Sequence, residues 1–476
     1  MLLLALGCIS EDSDKKKAPA EEEAGPIEVT GFGEEVYIDE GAGDSEAEPS
    51  AVALPDGTVL ASWMNLERYS LYIKWSRSTD GGQTWSEAET IDEDEWGYQN
   101  DPVLVQGGGY IYFTWLAVEG SNYDKSSIYC VDSTDGGETW SEKVRLTERN
   151  TFNDRQWMAV DDTGHAVITW DYFPDNYTTK QAYTETDGGC AGFAEAEVIK
   201  SGSFLNGVPA IDTDGRIWTS RTEYDYGSGD TLTVVSTLDD EGEWDDDTIL
   251  RTSSSYGAAM AMAEDPSEER EERIRSIEES EEGEEGGSRL DLDRFRLSGG
   301  MDMALMLSGS VQHRNLASAN FDGFYSPVLQ PLPDGRLAIT QCGFEDGSND
   351  TPDTWFFLYD HGDVEKRVLN ADEPGNEQME PWMVVDGQGG IHVSWFDARE
   401  GEWRLYGATS IDDGDTFTEY EIGDETFRKG FDDYDTYAWV GHFQGLTATE
   451  DNVIAIWGDN TEDGNSKIRA DRSVAD

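Results

Sequence analysis

Positive charge is what this sequence most lacks. Of its 476 residues, 33 are Lys or Arg against 101 Asp or Glu, a formal net charge of −68, and only 11 of the basic residues are Lys. No nucleic-acid partner is expected, because phosphate binding needs a basic footprint. Histidine is scarce as well: five residues, scattered rather than clustered at ligand spacing. Of the four cysteines, Cys130, Cys190 and Cys342 show no paired spacing. Neither a disulfide framework nor a zinc knuckle is expected of them; they read as small buried hydrophobes, with one disulfide left open. The chain has no Gly-x-Ser-x-Gly elbow, His-Glu-x-x-His, phosphate loop or Cys-x-x-Cys, which leaves the commonest catalytic signatures without a foothold. No run is long and apolar enough for a membrane-spanning helix.

The acidity itself admits three readings. A solvated, self-repelling surface suited to high salt is the plainest, and the depletion of Lys favours it. A calcium-loaded protein is the second, although no stretch fits the D-x-[DN]-x-[DN]-G loop with its closing Glu. Attraction of a cationic partner is the third. No cofactor is required by any motif, and Ca2+ has none to support it.

What is abundant is glycine (51) and aromatic residues (16 Trp, 20 Tyr, 17 Phe), with 37% hydrophobic residues overall. That content suits many short strands joined by tight turns. At the start, Met-Leu-Leu-Leu-Ala-Leu-Gly precedes Cys8. An apolar run ending in small residues before a Cys is similar to a bacterial lipoprotein signal, in which Cys8 is lipidated. A frayed apolar end with an incidental Cys is the alternative. The acidic segment 9–30 reads as a flexible tether. The expected address is therefore extracytoplasmic, at the cell envelope, with membrane association only through the lipid.

Self-comparison is the most informative step. Ser78-Thr-Asp80-Gly-Gly82-Gln-Thr84-Trp85 returns as Ser133-Thr-Asp135-Gly-Gly137-Glu-Thr139-Trp140 and as Ser410-Ile-Asp412-Asp-Gly414-Asp-Thr416-Phe417. Weaker copies run Asp187–Phe193 and Thr237–Trp244. Between the copies lies a second pattern: an apolar strand, an Asp-Gly type turn, then a strand often ending in Trp, as in Pro49 to Trp63. A period near 50 residues signals a propeller or solenoid. In the turn motif, Asp can accept hydrogen bonds from its own turn, Gly allows positive φ, and the terminal aromatic packs on the blade. These Asp residues are therefore expected to be structural.

The three close copies match the Asp-box, S-x-D-x-G-x-T-W, and the chain on this ground resembles the sialidase-like family. The resemblance implies an all-β propeller of four-stranded antiparallel blades. Counting innermost strands gives eight blades, with seven or six as alternatives, since a degraded unit begins at Gly257 and the best-known sialidases have six. The last unit holds only three strands, and Glu35–Asp39 is expected to close the propeller as its outer strand. Residues 31–476 then form one domain, expected to be monomeric, with an acidic insertion at about 264–288.

In such a fold, the ends of strands entering and leaving the channel carry function. Glu48, Asp101, Asp154, Arg155, Glu380 and His442 fall at innermost-strand entries, and Trp157, Trp382 and Trp439 beside them. The family binds a substrate carboxylate with three arginines and uses a Tyr–Glu pair and an Asp acid/base. On this chain the resemblance implies Arg155, Arg221 and Arg399 as the arginines, Tyr224 with Glu223 as the pair, and Asp101 or Asp171 as the acid. The family's early Arg-Ile-Pro is absent. The plainer alternative is that these arginines offset the acids around them. Two segments, Val393–Arg399 and Trp439–Leu446, are similar to surface-exposed repeat proteins of the same family and specify no reaction. The expected function is recognition of glycans or another extracellular polymer, with exo-acting hydrolysis of the sialidase type as the alternative and a purely structural envelope role as the third.

Overall fold

The computed structural model describes residues 25–39, 45–67, 70–92, 98–119, 125–148, 151–174, 179–202, 204–225, 230–239, 241–252, 327–343, 352–370, 376–427, 440–460 and 465–474. Among these, all regular structure is antiparallel sheet save one turn of 3-10 helix at Cys190–Gly192. Seven sheets form the blades of a propeller; six take their strands consecutively along the chain, and the seventh adds Gly31–Phe32 and Val36–Tyr37 to the last three strands. Blade 1 runs Ser45–Ala53, Val59–Glu67, Ser70–Ser78 and Glu89–Thr90 from axis to rim. The innermost strands of the others are Gln99–Gly107, Phe152–Val160, Phe204–Asn206 with Ala210–Ile211, Val328–Pro331, Gln378–Val385 and Gly445–Ala448.

Burial explains the sequence pattern. The second strands Ile391–Asp397 and Val453–Asp459 are buried at every residue. Sheets cover them on both faces, so they read as continuous apolar runs instead of alternating ones. Trp63, Trp115, Trp395 and Trp457, each on the second strand of its blade, are among the largest fully buried side chains. The rim strand Asp363–Val368 has no fully buried residue, which is why the repeat fades outward.

Among the described residues the count is seven, not eight. The innermost strand of blade 4 meets that of blade 5 directly: Val208 N–H donates to the Pro327 carbonyl at 3.0 Å, and Val208 pairs with Val328 in a parallel bridge. No blade fits between them. The unit counted from Gly257, with the insertion 264–288, lies outside the described residues, as does Cys8. In blade 7 both N-terminal strands pair with Lys467–Val474: Gly31 opposes Val474, and Val36 opposes Ala470. Packed chain begins before residue 31, since Ile27 and Val29 are buried and Ile27 N–H donates to Asp386 Oδ2 at 2.8 Å. The tether expected to run to 30 therefore gives way to docked backbone by Ile27.

The S-x-D-x-G-x-T turns are held by their own side chains. Gly82 N–H donates to Ser78 Oγ (2.8 Å), Thr84 N–H to Asp80 Oδ1 (2.9 Å) and Thr84 Oγ1 to Asp80 Oδ2 (2.6 Å). The same bonds recur around Asp135 and Asp412. Trp85, Trp140 and Phe417 pack onto the cores of their neighbourhoods. The weak third copy uses a different fastening. Cys190 forms a disulfide with Cys130 of blade 2, and Cys190 N–H donates to Asp132 Oδ1 at 2.8 Å. Two of the three cysteines read as buried hydrophobes are thus a covalent link between blades 2 and 3; Cys342 is free and buried.

Candidate functional site

Four innermost strands break register at the same place, between Ala47 and Ser50, Asn100 and Val103, Asp154 and Trp157, and Met379 and Trp382. Each bulge puts a non-glycine residue in the left-handed region: Glu48 (φ 54), Asp101 (φ 53), Arg155 (φ 52) and Glu380 (φ 54). Such a residue costs about 1–3 kcal/mol and persists only where its surroundings fix it. At three of the four an amide of the next blade does so. Gln156 Nε2 donates to the Asp101 carbonyl, Asn206 Nδ2 to the Arg155 carbonyl (2.9 Å) and Gln444 Nε2 to the Glu380 carbonyl (2.6 Å). Bulges commonly re-aim side chains, and these four aim theirs at one end of the channel.

The result is a buried acid cluster around one guanidinium. Arg155 interacts electrostatically with Asp154, Asp171, Asp101 and Glu48, and all five residues are at most 4% exposed. Asp171 stands opposite Asp154 on the second strand of blade 3. Burial dominates their titration. It raises Asp171 to about 7, against the pull of Arg155 and of the Asn206 N–H, which donates to Asp171 Oδ2 at 3.2 Å. It raises Asp101 to about 6, with Arg155 opposing. Glu48 is pushed well up by burial and then by the charges of Asp101 and Glu380; Asp154 is pushed well up by burial and then by Asp101. The Asp101 and Glu48 carboxyls lie within hydrogen-bonding reach of each other, an arrangement in which one proton serves two carboxyls. Glu48 Oε1 also accepts the His442 N–H at 3.2 Å, with His442 Nδ1 3.3 Å away.

Among the described residues, Asp101 Oδ2, Asp154 Oδ2, Asp171 Oδ1 and Gln156 Oε1 are buried and accept no hydrogen bond. Buried acceptors left open are rare and costly. Also among the described residues, no three His, Cys, Asp or Glu side chains are arranged to hold a metal ion. In the channel, Trp157 lies 5.0 Å from Trp382 and 4.9 Å from Phe443 between ring centroids. Trp157 and Trp382 border a cavity of about 480 Å³ lined by the innermost strands.

Of the residues predicted from sequence, Asp101, Arg155 and Asp171 come together here. Arg221 and Arg399 have partners of their own. Arg221, fully buried in blade 4, pairs with Glu223 (2.5 Å) and Asp246 (2.9 Å). Arg399 pairs with Asp397 (2.6 Å) and Glu419 (2.5 Å) and lies over the Tyr406 ring. Glu223 is thus an ion-pair partner of Arg221, while Tyr224 sits opposite Thr231 in the same sheet. Trp439 lies outside the described residues. The sequence placed Glu48, Asp154 and Glu380 at strand entries without assigning them a role. An acid-Pro dipeptide marks two of these entries, Glu48-Pro49 and Glu380-Pro381, as it does Asp101-Pro102.

No protein-family model matches the sequence, and no curated protein matches it. Among solved structures, a PL25 polysaccharide lyase, an ulvan lyase bound to -[GlcA(1-4)Rha3S]-, is similar with a TM-score of 0.51 at 12% identity, covering 91% of this chain and 95% of that one. A protein of unknown function from Dyadobacter fermentans DSM 18053 gives 0.50 at 12% identity, with 94% and 100% coverage. The intramolecular trans-sialidase from Ruminococcus gnavus gives 0.41 at 12% identity, with 74% and 89% coverage. At such identities the likeness shows the shared β-propeller fold, a fold that hosts many unrelated activities.

Proposed function

We propose that this chain is a sialidase-like Asp-box propeller that recognises glycans outside the cytoplasm, held at the cell envelope by a lipid on Cys8. The observation that carries the reading is the convergence of strained, buried groups from blades 1, 2, 3 and 6 with carboxylate oxygens left open. Strain of this kind concentrates at ligand sites, and a polyhydroxylated ligand supplies the missing donors. The Cys130–Cys190 disulfide supports an oxidising compartment. The ulvan lyase, a polysaccharide-acting protein, supports a glycan partner only through its fold. Recognition is favoured over sialidase-type hydrolysis because Arg221 and Arg399 are engaged by carboxylates of their own blades. Calorimetric titration with a panel of neutral, acidic and aminated oligosaccharides tests the reading. Saturable binding lost in Asp154→Asn supports it; absence of binding across the panel sinks it.

Hydrolysis keeps one observation in its favour. Asp101 holds its proton up to about 6 beside Glu48, as a general acid must. Turnover of fluorogenic glycosides that disappears in Asp101→Asn would make this an exo-acting glycoside hydrolase.

A further inference from the structure

Among the described residues, open acceptors outnumber open donors at this site, where the donors are Arg155 Nε and Trp157 Nε1. Asp101 Oδ2, Asp154 Oδ2, Asp171 Oδ1 and the amide oxygen Gln156 Oε1 are all acceptors, all buried and all without a donor among the described residues. Gln156 is not acidic, and its orientation is fixed because its Nε2 donates to the Asp101 carbonyl. The excess of acceptors is therefore independent of the acid cluster's charge. Charge points the same way: Glu48, Asp101, Asp154 and Asp171 gather about the guanidinium of Arg155, with Glu380 acting on Glu48.

We infer that the group this end of the channel takes is a protonated primary amine, so that the ligand is a glycan bearing free amino sugars. The inference rests on the glycan-recognition reading above. An ammonium offers three donors and no acceptor, which matches open oxygens on Asp101, Asp154 and Asp171. A sugar hydroxyl brings an acceptor with each donor and so repairs the imbalance only in part. A uronate, sialate or sulfate would bring more acceptors and more negative charge into an acid cluster. A metal ion would need three ligand side chains already converging, and among the described residues none do. N–H···O contacts of about 2.7–3.2 Å reach further than metal–oxygen bonds of about 2.0–2.6 Å, so an ammonium can be held by carboxylates too widely spread for a metal ion.

Burial favours protonated carboxyls where no cation stands beside them, raising Asp171 to about 7 and Asp101 to about 6. An ammonium takes the place of those protons, so binding releases them.

The test uses the full chain titrated with a glucosamine tetrasaccharide, its fully N-acetylated counterpart and Ca2+. About 0.5 M NaCl is present, to screen exposed charge. The free-amine sugar is expected to bind at least about tenfold more tightly than the acetylated one. Asp154→Asn and Asp171→Asn are each expected to weaken it by about tenfold. Glu87→Gln, an exposed site on the rim of blade 1, should leave it unchanged. Equal or tighter binding of the acetylated sugar overturns the inference and leaves glycan recognition standing. Amine binding that Asp154→Asn and Asp171→Asn do not weaken overturns it too, as general attraction of a polycation to a chain of net charge −68. Stoichiometric Ca2+ binding that competes with the amine and is lost in Asp154→Asn overturns it in favour of a metal site. Binding of neither sugar removes the reading on which it rests. The comparison of the two sugars on the unsubstituted protein stands even if the variants fail to fold.

Discussion

Glu46 Oε2 accepts the backbone N–H of Ile468 at 3.0 Å across 422 residues of chain, joining the innermost strand of blade 1 to the third strand of blade 7. The same junction carries Glu46 N–H to the Ser466 carbonyl (3.0 Å) and Gly33 N–H to Asp471 Oδ1 (3.1 Å). Burial raises Glu46 to about 7, opposed by Lys467, and raises Asp471 to about 7, opposed by the Arg472 and Gly33 N–H groups.

That junction predicts how stability follows pH. A carboxyl whose folded pKa lies above its unfolded value binds its proton more tightly when folded. Its contribution is complete below the ordinary carboxylate range and is lost as pH rises through 7. The thermal midpoint should therefore fall between about pH 5 and pH 8, where both acids ionise. Glu46→Gln keeps an acceptor for Ile468 and removes the charge, so its midpoint should fall less over the same range. Thermal melts at constant ionic strength check this. An identical slope in the variant would assign the pH dependence to other groups.

The Cys130–Cys190 disulfide closes a loop with a sequence separation of 60. A crosslink of that length typically contributes about 2–4 kcal/mol, chiefly by restricting the unfolded chain. Urea unfolding with and without reductant, or of a Cys130→Ser, Cys190→Ser double variant, should show a loss of that size. No change would mean that Asp132 and the turn around Cys190 hold blades 2 and 3 together unaided.

Glycine in the turns has two separable uses. Gly57 (φ +83) and Gly137 (φ +78) both lie in the left-handed region, but a Cβ on Gly57 would meet nothing within 4 Å. One on Gly137 would lie 2.5 Å from Leu60 Cδ2. Gly57→Ala should cost about 1–2 kcal/mol for the backbone alone. Gly137→Ala should cost about 1–3 kcal/mol more for overpacking against Leu60. Chemical denaturation of the two variants side by side measures the difference. Equal losses would mean that Leu60 yields freely.

These features differ in how far the sequence discloses them. The Asp80, Asp135 and Asp412 turns are legible because their bonds span four residues or fewer, so the motif contains its own structure. The blade count is not, because nothing local near Gly257 says that Val208 already pairs with Val328. Cys130 and Cys190 meet only through the packing of one blade on the next, which no spacing rule encodes. At the candidate site, register along the repeat placed Asp101, Arg155 and Asp171 at one end of the channel, where the structure brings them together. It did not identify partners. Arg221 and Arg399 occupy comparable positions in the repeat, but Asp246 and Glu419, on the rim strands of their own blades, pair with them there. The bulges at Glu48, Asp101 and Glu380 are not legible because an acid before proline does not by itself announce a left-handed backbone, and Arg155 lacks even the proline.

That division between arginines gives the sharpest contrast in expected behaviour. Arg221 is fully buried and its carboxylate partners Glu223 and Asp246 are less so. Removing one member of a buried pair leaves the other uncompensated, at a cost of about 3–5 kcal/mol where both are dry and less where water reaches the survivor. Arg221→Met and Arg399→Gln should therefore lower the unfolding midpoint while leaving oligosaccharide affinity within about twofold, well under the tenfold that 1.4 kcal/mol represents. Asp171→Asn should do the reverse. It removes an acceptor charge from the cluster around Arg155 and weakens binding, yet at neutral pH it sheds a buried carboxyl whose ionisation opposes folding. Paired measurements of melting and affinity on the three variants separate the two roles. Loss of affinity in Arg399→Gln at unchanged stability would return that arginine to the ligand and restore the three-arginine arrangement.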